Sequence, residues 1–137
     1  SNIPDLVWKL AENFLPGGLT LVLRKSPNAP NYICGDRNTI ALRVPDHPVP
    51  RILASKLSAP ITGTSANLSG KRPCISAVCV ENQFGNLVEV VINGGVIGKK
   101  ESSTIIDATT DPIRLIRKGA IKVKLIEQVL GYRLTQK

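Results

Sequence analysis

Aromatic side chains are scarce in this sequence: one Trp, two Tyr and two Phe make up 4% of its 137 residues. That argues against a platform of several rings on which nucleobases would stack. There is a single histidine, His47, and no Ser/His/Asp or Cys/His set that would suggest nucleophilic catalysis. Cysteine occurs three times, as Cys34, Cys74 and Cys79, and never as CxxC. An odd count without such a pair argues against a disulfide framework or a zinc ribbon, and no other residues have metal-ligand spacing. The expectation is free thiols in a reducing cytoplasm. No apolar run is long enough to span a bilayer, and there are no repeats or low-complexity tracts. Ser1 to Phe14 lacks a basic segment followed by an apolar one, which argues against a secretory signal. The sequon at Asn67-Leu68-Ser69 is therefore not read as a glycosylation site.

What is present is an ordinary globular composition, 42% hydrophobic, in a chain whose length suits one domain over residues 1–137. Lys and Arg number 18 against 10 Asp and Glu, a formal net charge of +8. Such a surplus favours an anionic partner (a nucleotide, a phosphate or RNA), although a merely basic, soluble surface accounts for it equally well.

Pro4 and Asp5 open a helix whose apolar face is Leu6, Val7, Leu10, Ala11 and Phe14. Pro16-Gly17-Gly18 ends it. Strands are expected at Leu19 to Leu23, Thr39 to Val44, Pro60 to Thr64, Thr104 to Asp107 and Ile113 to Arg117, with a buried strand at Val88 to Ile92. Lys25 to Asn38 reads as a loop. Val49 to Leu57 reads as a helix with Ile52, Leu53 and Leu57 turned inward. Ser76 caps another that runs to Phe84, and Lys122 to Leu130 forms the last, stopped by Gly131. Strands alternating with helices predict an α/β layered domain.

Three stretches carry chemistry. Thr62 to Gly70 follows an expected strand and packs Thr64, Ser65 and Asn67 among small residues, so that backbone N–H groups can approach a phosphate or carboxylate. An ordinary capped turn is the plainer alternative. Arg43 interrupts an apolar strand and needs a partner, either a bound anion or a carboxylate such as Asp46 or Asp107. His47, in the turn after it, reads as a polar surface group or a candidate base. Ser102, Ser103 and Thr104 precede one strand, and Arg117 and Lys118 end the next, so together they could frame an anion. Edge-strand basic residues that oppose aggregation would look the same. Gly94 to Lys100 is not a P-loop: the first glycine position is Asn93, and Lys100 stands where Ser or Thr is required.

In this order the segments resemble one family. Pro16 to Leu23 resembles its PGPLTLVL segment, with Gly18 in place of the second proline. Leu42 to Pro48 resembles VRxPDHP, Thr64 to Gly70 matches TSANLSG, Ser103 to Asp107 resembles STVVD, and Arg117 to Ile121 resembles RxGAI. The family is that of the YrdC/Sua5-type threonylcarbamoyl-AMP synthases, which begin a threonine-derived tRNA modification. The resemblance implies a cytoplasmic, YrdC-like α/β fold, a twisted mixed sheet with flanking helices, here truncated in that it lacks the family's N-terminal segment with its PTET and Lys-x-Arg motifs. It implies ATP, L-threonine and bicarbonate as substrates, with Mg2+. By position, Arg43 and Ser103 would hold threonine, and Thr64, Ser65, Asn67 and Arg117 the nucleotide. The alternative is a non-catalytic RNA- or nucleotide-binding module derived from the family. A missing early segment would expose a sheet edge or core face, so a homo-oligomer or a complementing chain is expected.

Overall fold

The computed structural model describes residues 3–27, 29, 31–34, 37–98 and 101–136. The expected loop at Lys25 to Asn38 falls partly outside the described residues, as do Lys99 and Lys100 of the stretch that resembles a P-loop without being one. The chain divides into two compact units, one formed by Ser1–Ile61 with Glu101–Lys137, the other by Thr62–Lys100.

The first unit is built on a five-stranded mixed sheet. Its strands are β1 (Leu19–Arg24), β2 (Thr39–Leu42), β3 (Thr104–Asp107), β4 (Arg114–Arg117) and β5 (Thr135–Gln136). Their order across the sheet is β2-β1-β3-β4-β5. β1 runs antiparallel to β2 and parallel to β3, with Leu19 beside Thr104 and Leu21 beside Ile106. Since side chains alternate along a strand, these four residues share a face, and all are buried.

Two amphipathic helices lie against that face, α1 (Asp5–Phe14) and α5 (Val123–Leu130). Val7 and Leu10 of α1 and Ile126 and Leu130 of α5 form one core with Leu19, Leu21, Ile106, Ile113 and Leu115. Pro4 occupies the N-cap of α1 in extended conformation rather than its first turn. Gly131 closes α5 in the left-handed region at φ 80, where a side chain would be strained, and its N–H donates to Glu127 O.

Thr104 is polar and fully buried, yet satisfied. Its Oγ1 donates to Ile121 O at 2.8 Å and accepts from Ile121 N at 3.0 Å, which ties the chain entering α5 to the sheet. A short helical turn, α2 (Asn31–Cys34), interrupts the expected loop after β1.

Helix α3 (Pro48–Leu57) forms where the sequence places it, with His47 Nδ1 accepting from Val49 N at 3.3 Å as its cap. Its burial differs from the expectation: Ile52 is 56% and Leu57 64% exposed, and no residue of the helix is buried. Periodicity fixes which residues share a face. It does not supply a neighbour for that face.

The second unit contains helix α4 (Ala77–Phe84), capped by Ser76 and followed by a 3-10 turn at Gly85–Leu87. The expected strand at Val88 to Ile92 is absent, as is that at Pro60 to Thr64. Val90 stands 76% exposed. Both runs have strand-like composition, but a strand exists only when a neighbour takes its N–H and C=O groups, and none of the described residues does so.

The thiol expectation is also corrected: Cys74 and Cys79 are joined by a disulfide, and Cys34 is the free cysteine. An odd count leaves one cysteine over without forbidding a pair. Ser76 Oγ accepts from Cys79 N at 3.3 Å, and the turn it caps brings the two cysteine Cα atoms to 5.4 Å, within bridging range.

Candidate functional site

The sheet face opposite α1 and α5 carries the side chains that alternate with the core set: Thr20 and Val22 on β1, Ile105 and Asp107 on β3. Strict alternation would send Arg117 to the helix side with Leu115. Instead the register steps from Ile106↔Leu115 to Ile105↔Arg117, so Ile116 is an extra residue in β4. This bulge turns Arg117 onto the open face, as such insertions do by shifting alternation by one.

There the Arg117 guanidinium grips Ser103. Its Nε donates to Ser103 O at 3.1 Å, and its Nη2 donates to Ser103 O at 2.8 Å and to Ser103 Oγ at 3.2 Å. Thr20 Oγ1 also donates to Ser103 Oγ, at 2.7 Å. A hydroxyl has two lone pairs and one proton. With both lone pairs occupied, Ser103 is left as a donor. Thr20 is the member of this cluster that sequence reasoning missed. Its signal was present in β1, where a hydroxyl interrupts an otherwise apolar run.

The backbone of Ser103 is held from behind. Ala120 N donates to Ser102 O at 2.8 Å. Gly119 approaches so closely that a Cβ there would lie 2.2 Å from Ser102 O and 2.6 Å from Ser103 C. Gly18 is similarly confined, since a Cβ would sit 2.7 Å from that of Ala120. The tight packing of these segments explains why glycine suits both positions.

Arg43 follows the last residue of β2. One step beyond the Leu21↔Leu42 pair, the register sets it beside Thr20. Its Nε donates to Gly17 O at 2.8 Å, while Gly17 N donates to Val44 O at 2.8 Å. Among the described residues no carboxylate pairs with Arg43, so the ion pair with Asp46 or Asp107 that the sequence left open is not formed. Both Nη groups remain available. The open face of the first unit therefore presents Arg43 on one side and Ser103 with Arg117 on the other. One strand, β1, lies between β2 and β3, a span of roughly 10 Å from typical strand spacing. The unspent hydrogens of Arg43, Arg117 and the Ser103 hydroxyl favour an anionic group, while Thr20 Oγ1, its own hydrogen given to Ser103, keeps lone pairs that can accept.

The remaining candidates lie in the second unit. Thr64 and Ser65 are exposed. Ser65 O accepts from Asn67 N at 3.0 Å, making a tight turn. Asn67 Nδ2 donates to Leu68 O at 3.0 Å, and its Oδ1 is buried without a partner. An unpartnered acceptor suits a ligand N–H or O–H, not a phosphate oxygen. Gln83 of α4 holds the loop: its Oε1 accepts from Leu68 N at 2.9 Å, and its Nε2 donates to Arg72 O at 2.9 Å and Cys74 Sγ at 3.2 Å. Among the described residues no group of three or more His, Cys, Asp or Glu could hold a metal ion. The Mg2+ implied by the resemblance thus has no protein cage here. Such an ion ordinarily travels on substrate phosphates.

Comparison with known proteins defines the class. The family model Sua5_yciO_yrdC, described as "Telomere recombination", matches residues 1–119. The chain belongs to this family. The threonylcarbamoyl-AMP synthase of Pyrococcus abyssi is 40% identical over 129 residues, covering 94% of this chain and 38% of its own length. The solved structure of P. abyssi Sua5 complexed with L-threonine superposes with a TM-score of 0.89 at 39% identity, over 98% of this chain and 40% of that one. The structure of E. coli YciO does so with a TM-score of 0.79 at 28% identity, over 90% of this chain and 61% of that one. The chain thus spans well under half the length of the archaeal synthase.

Proposed function

We propose that this chain is the part of a threonylcarbamoyl-AMP synthase that binds L-threonine and contributes to holding ATP. The observation that carries the reading is the pair of arginines on the open face, where a doubly accepting Ser103 hydroxyl and an Arg117 fixed by three hydrogen bonds stand across β1 from Arg43. The relative solved with L-threonine supports the choice of amino acid.

In this reading Arg43 clamps the threonine carboxylate, for which its planar fork is suited. Ser103 donates to the same substrate, and Arg117 turns its Nη1 hydrogens to the nucleotide. In the second unit, taken by itself, Thr64 and Ser65 offer hydroxyls and backbone N–H groups to an anion such as a phosphate, and Asn67 Oδ1 accepts from a ligand N–H or O–H. The reaction needs no protein nucleophile. The threonine amine takes up carbon dioxide derived from bicarbonate as a carbamate, the carbamate oxygen attacks the α-phosphorus of ATP, and pyrophosphate leaves. The protein's contribution is to position the reactants and offset growing negative charge with preorganised donors.

Calorimetry with L-threonine tests the binding step, and threonine-dependent pyrophosphate release in the presence of ATP, bicarbonate and Mg2+ tests turnover. An absence of threonine binding to the folded chain would sink the reading. A second reading, binding of RNA through phosphates, draws on the net charge of +8. It predicts affinity that falls steeply with salt, unlike a compact threonine pocket.

A further inference from the structure

Helix α4 grips the loop at 64–70 from one side, and it does so twice. Cys79 and Gln83 are four residues apart on the helix, so they share a face. Cys79 bonds covalently to Cys74, and Gln83 hydrogen-bonds to Leu68 N, Arg72 O and Cys74 Sγ. Cys74 N in turn donates to Ala66 O at 2.8 Å, inside the loop. Among the described residues of this unit Cys74 is the buried one, 6% exposed, and Cys79 is half-buried. Other hydrogen bonds of the segment are local, Asn67 N to Ser65 O at 3.0 Å, Lys71 N to Leu68 O at 2.9 Å and Asn67 Nδ2 to Leu68 O at 3.0 Å, and Leu68, Lys71 and Arg72 are exposed.

We infer that the Cys74–Cys79 disulfide is a redox clasp that keeps the Thr64–Gly70 loop in its ligand-ready form and opens when thiols reduce it. An external thiolate attacks the more accessible sulfur, that of Cys79, and displaces Cys74 as its thiolate. The Gln83 amide is already placed to hydrogen-bond that departing sulfur. A second thiol of the reductant resolves the mixed disulfide: the reductant leaves as its own disulfide, and two protein thiols remain. Oxidation by a small disulfide such as oxidised glutathione reverses both exchanges. Once the bond opens, Cys74 is no longer tethered to α4. The Gln83 and Ala66 hydrogen bonds that depended on its position then lose their anchor.

That this loop holds ATP rests on the function proposed above, so the clasp is tested by a readout that needs no ligand. Hydrogen–deuterium exchange is measured on the full chain after oxidised glutathione and after dithiothreitol. On reduction the amides of Leu68 and Cys74 are expected to exchange about tenfold faster or more, as for a segment whose local opening becomes easier. Those of Thr104 and Ala108, bonded to Gly18 O and Val22 O in the other unit, are expected to stay as they were. Cys79→Ser should behave as the reduced protein under both conditions. Equal protection of Leu68 and Cys74 in the two redox states would overturn the proposal, as would a folded Cys79→Ser chain that matches the oxidised one. If Cys79→Ser fails to fold, shown by lost protection at Thr104, the wild-type pair of measurements decides. Calorimetry with ATP is run beside it, with weaker binding expected for the reduced chain. ATP binding to neither form would count against the nucleotide reading, while the exchange rates would still decide on the clasp.

Discussion

Arg43 and Thr20 are the residues whose replacement speaks most directly to the open face. Arg43→Ala removes a charge-assisted contact to a carboxylate, a loss of about 1.5–3 kcal/mol, or roughly tenfold and more in Kd for L-threonine by calorimetry. Arg43→Lys should recover only part of it, because an ammonium cannot present the same fork. Thr20→Val removes the hydrogen bond that orients the Ser103 hydroxyl, so that its proton is no longer directed outward. Threonine affinity should fall while Thr20→Ser restores it, a rescue that a purely structural role for the threonine methyl would not give. The arginines were legible in the sequence because a cation in an apolar strand needs an explanation, and the family motifs named them. Thr20 was not, because the hydrogen bond joins residues 83 positions apart. Only the parallel pairing of β1 with β3 brings them together.

Among the elements, the helices were the readable ones, because their hydrogen bonds and caps are local, and α3 and α4 form as expected although neither buries a residue. α1 and α5 each have an apolar stripe, a stop signal and a sheet to lie on, and both appear within a residue or so of their expected bounds. Leu10 is fully buried between them and the sheet. Leu10→Ala should therefore lower stability by about 2–5 kcal/mol in denaturant unfolding. The turn after β4 acts at the same scale. Gly119→Ala would push a methyl group into the backbone of Ser102 and Ser103. The substitution should weaken threonine binding as well as stability, although residue 119 need touch no ligand. The strands expected at Pro60 to Thr64 and Val88 to Ile92 failed for a reason composition cannot show. Val, Ile and Thr in sequence advertise a strand, but pairing requires a partner, and the described chain offers none.

For the molecule as a whole, apolar surface is the unsettled balance. Ile52 and Leu57 on α3, and Leu87, Val90 and Val96 in the second unit, all stand more than half exposed. Soluble monomers seldom leave so many large apolar residues uncovered. Light scattering on the purified chain should accordingly give a mass above the 14.7 kDa of one copy, rising with concentration. A constant monomer mass would remove self-association, and an added segment or second protein would then be sought as the cover. The bulge at Ile116 has a different kind of consequence, one for how this sequence can change over time. The residue is exposed and its side chain is not called upon, so Ile116 can drift to Val or Thr at little cost. Its existence, unlike its identity, is not free to vary: deleting it would restore the strand's alternation and send Arg117 to the wrong side of the sheet. Here selection acts on a count of residues, and an alignment that scores only their likeness would overlook it.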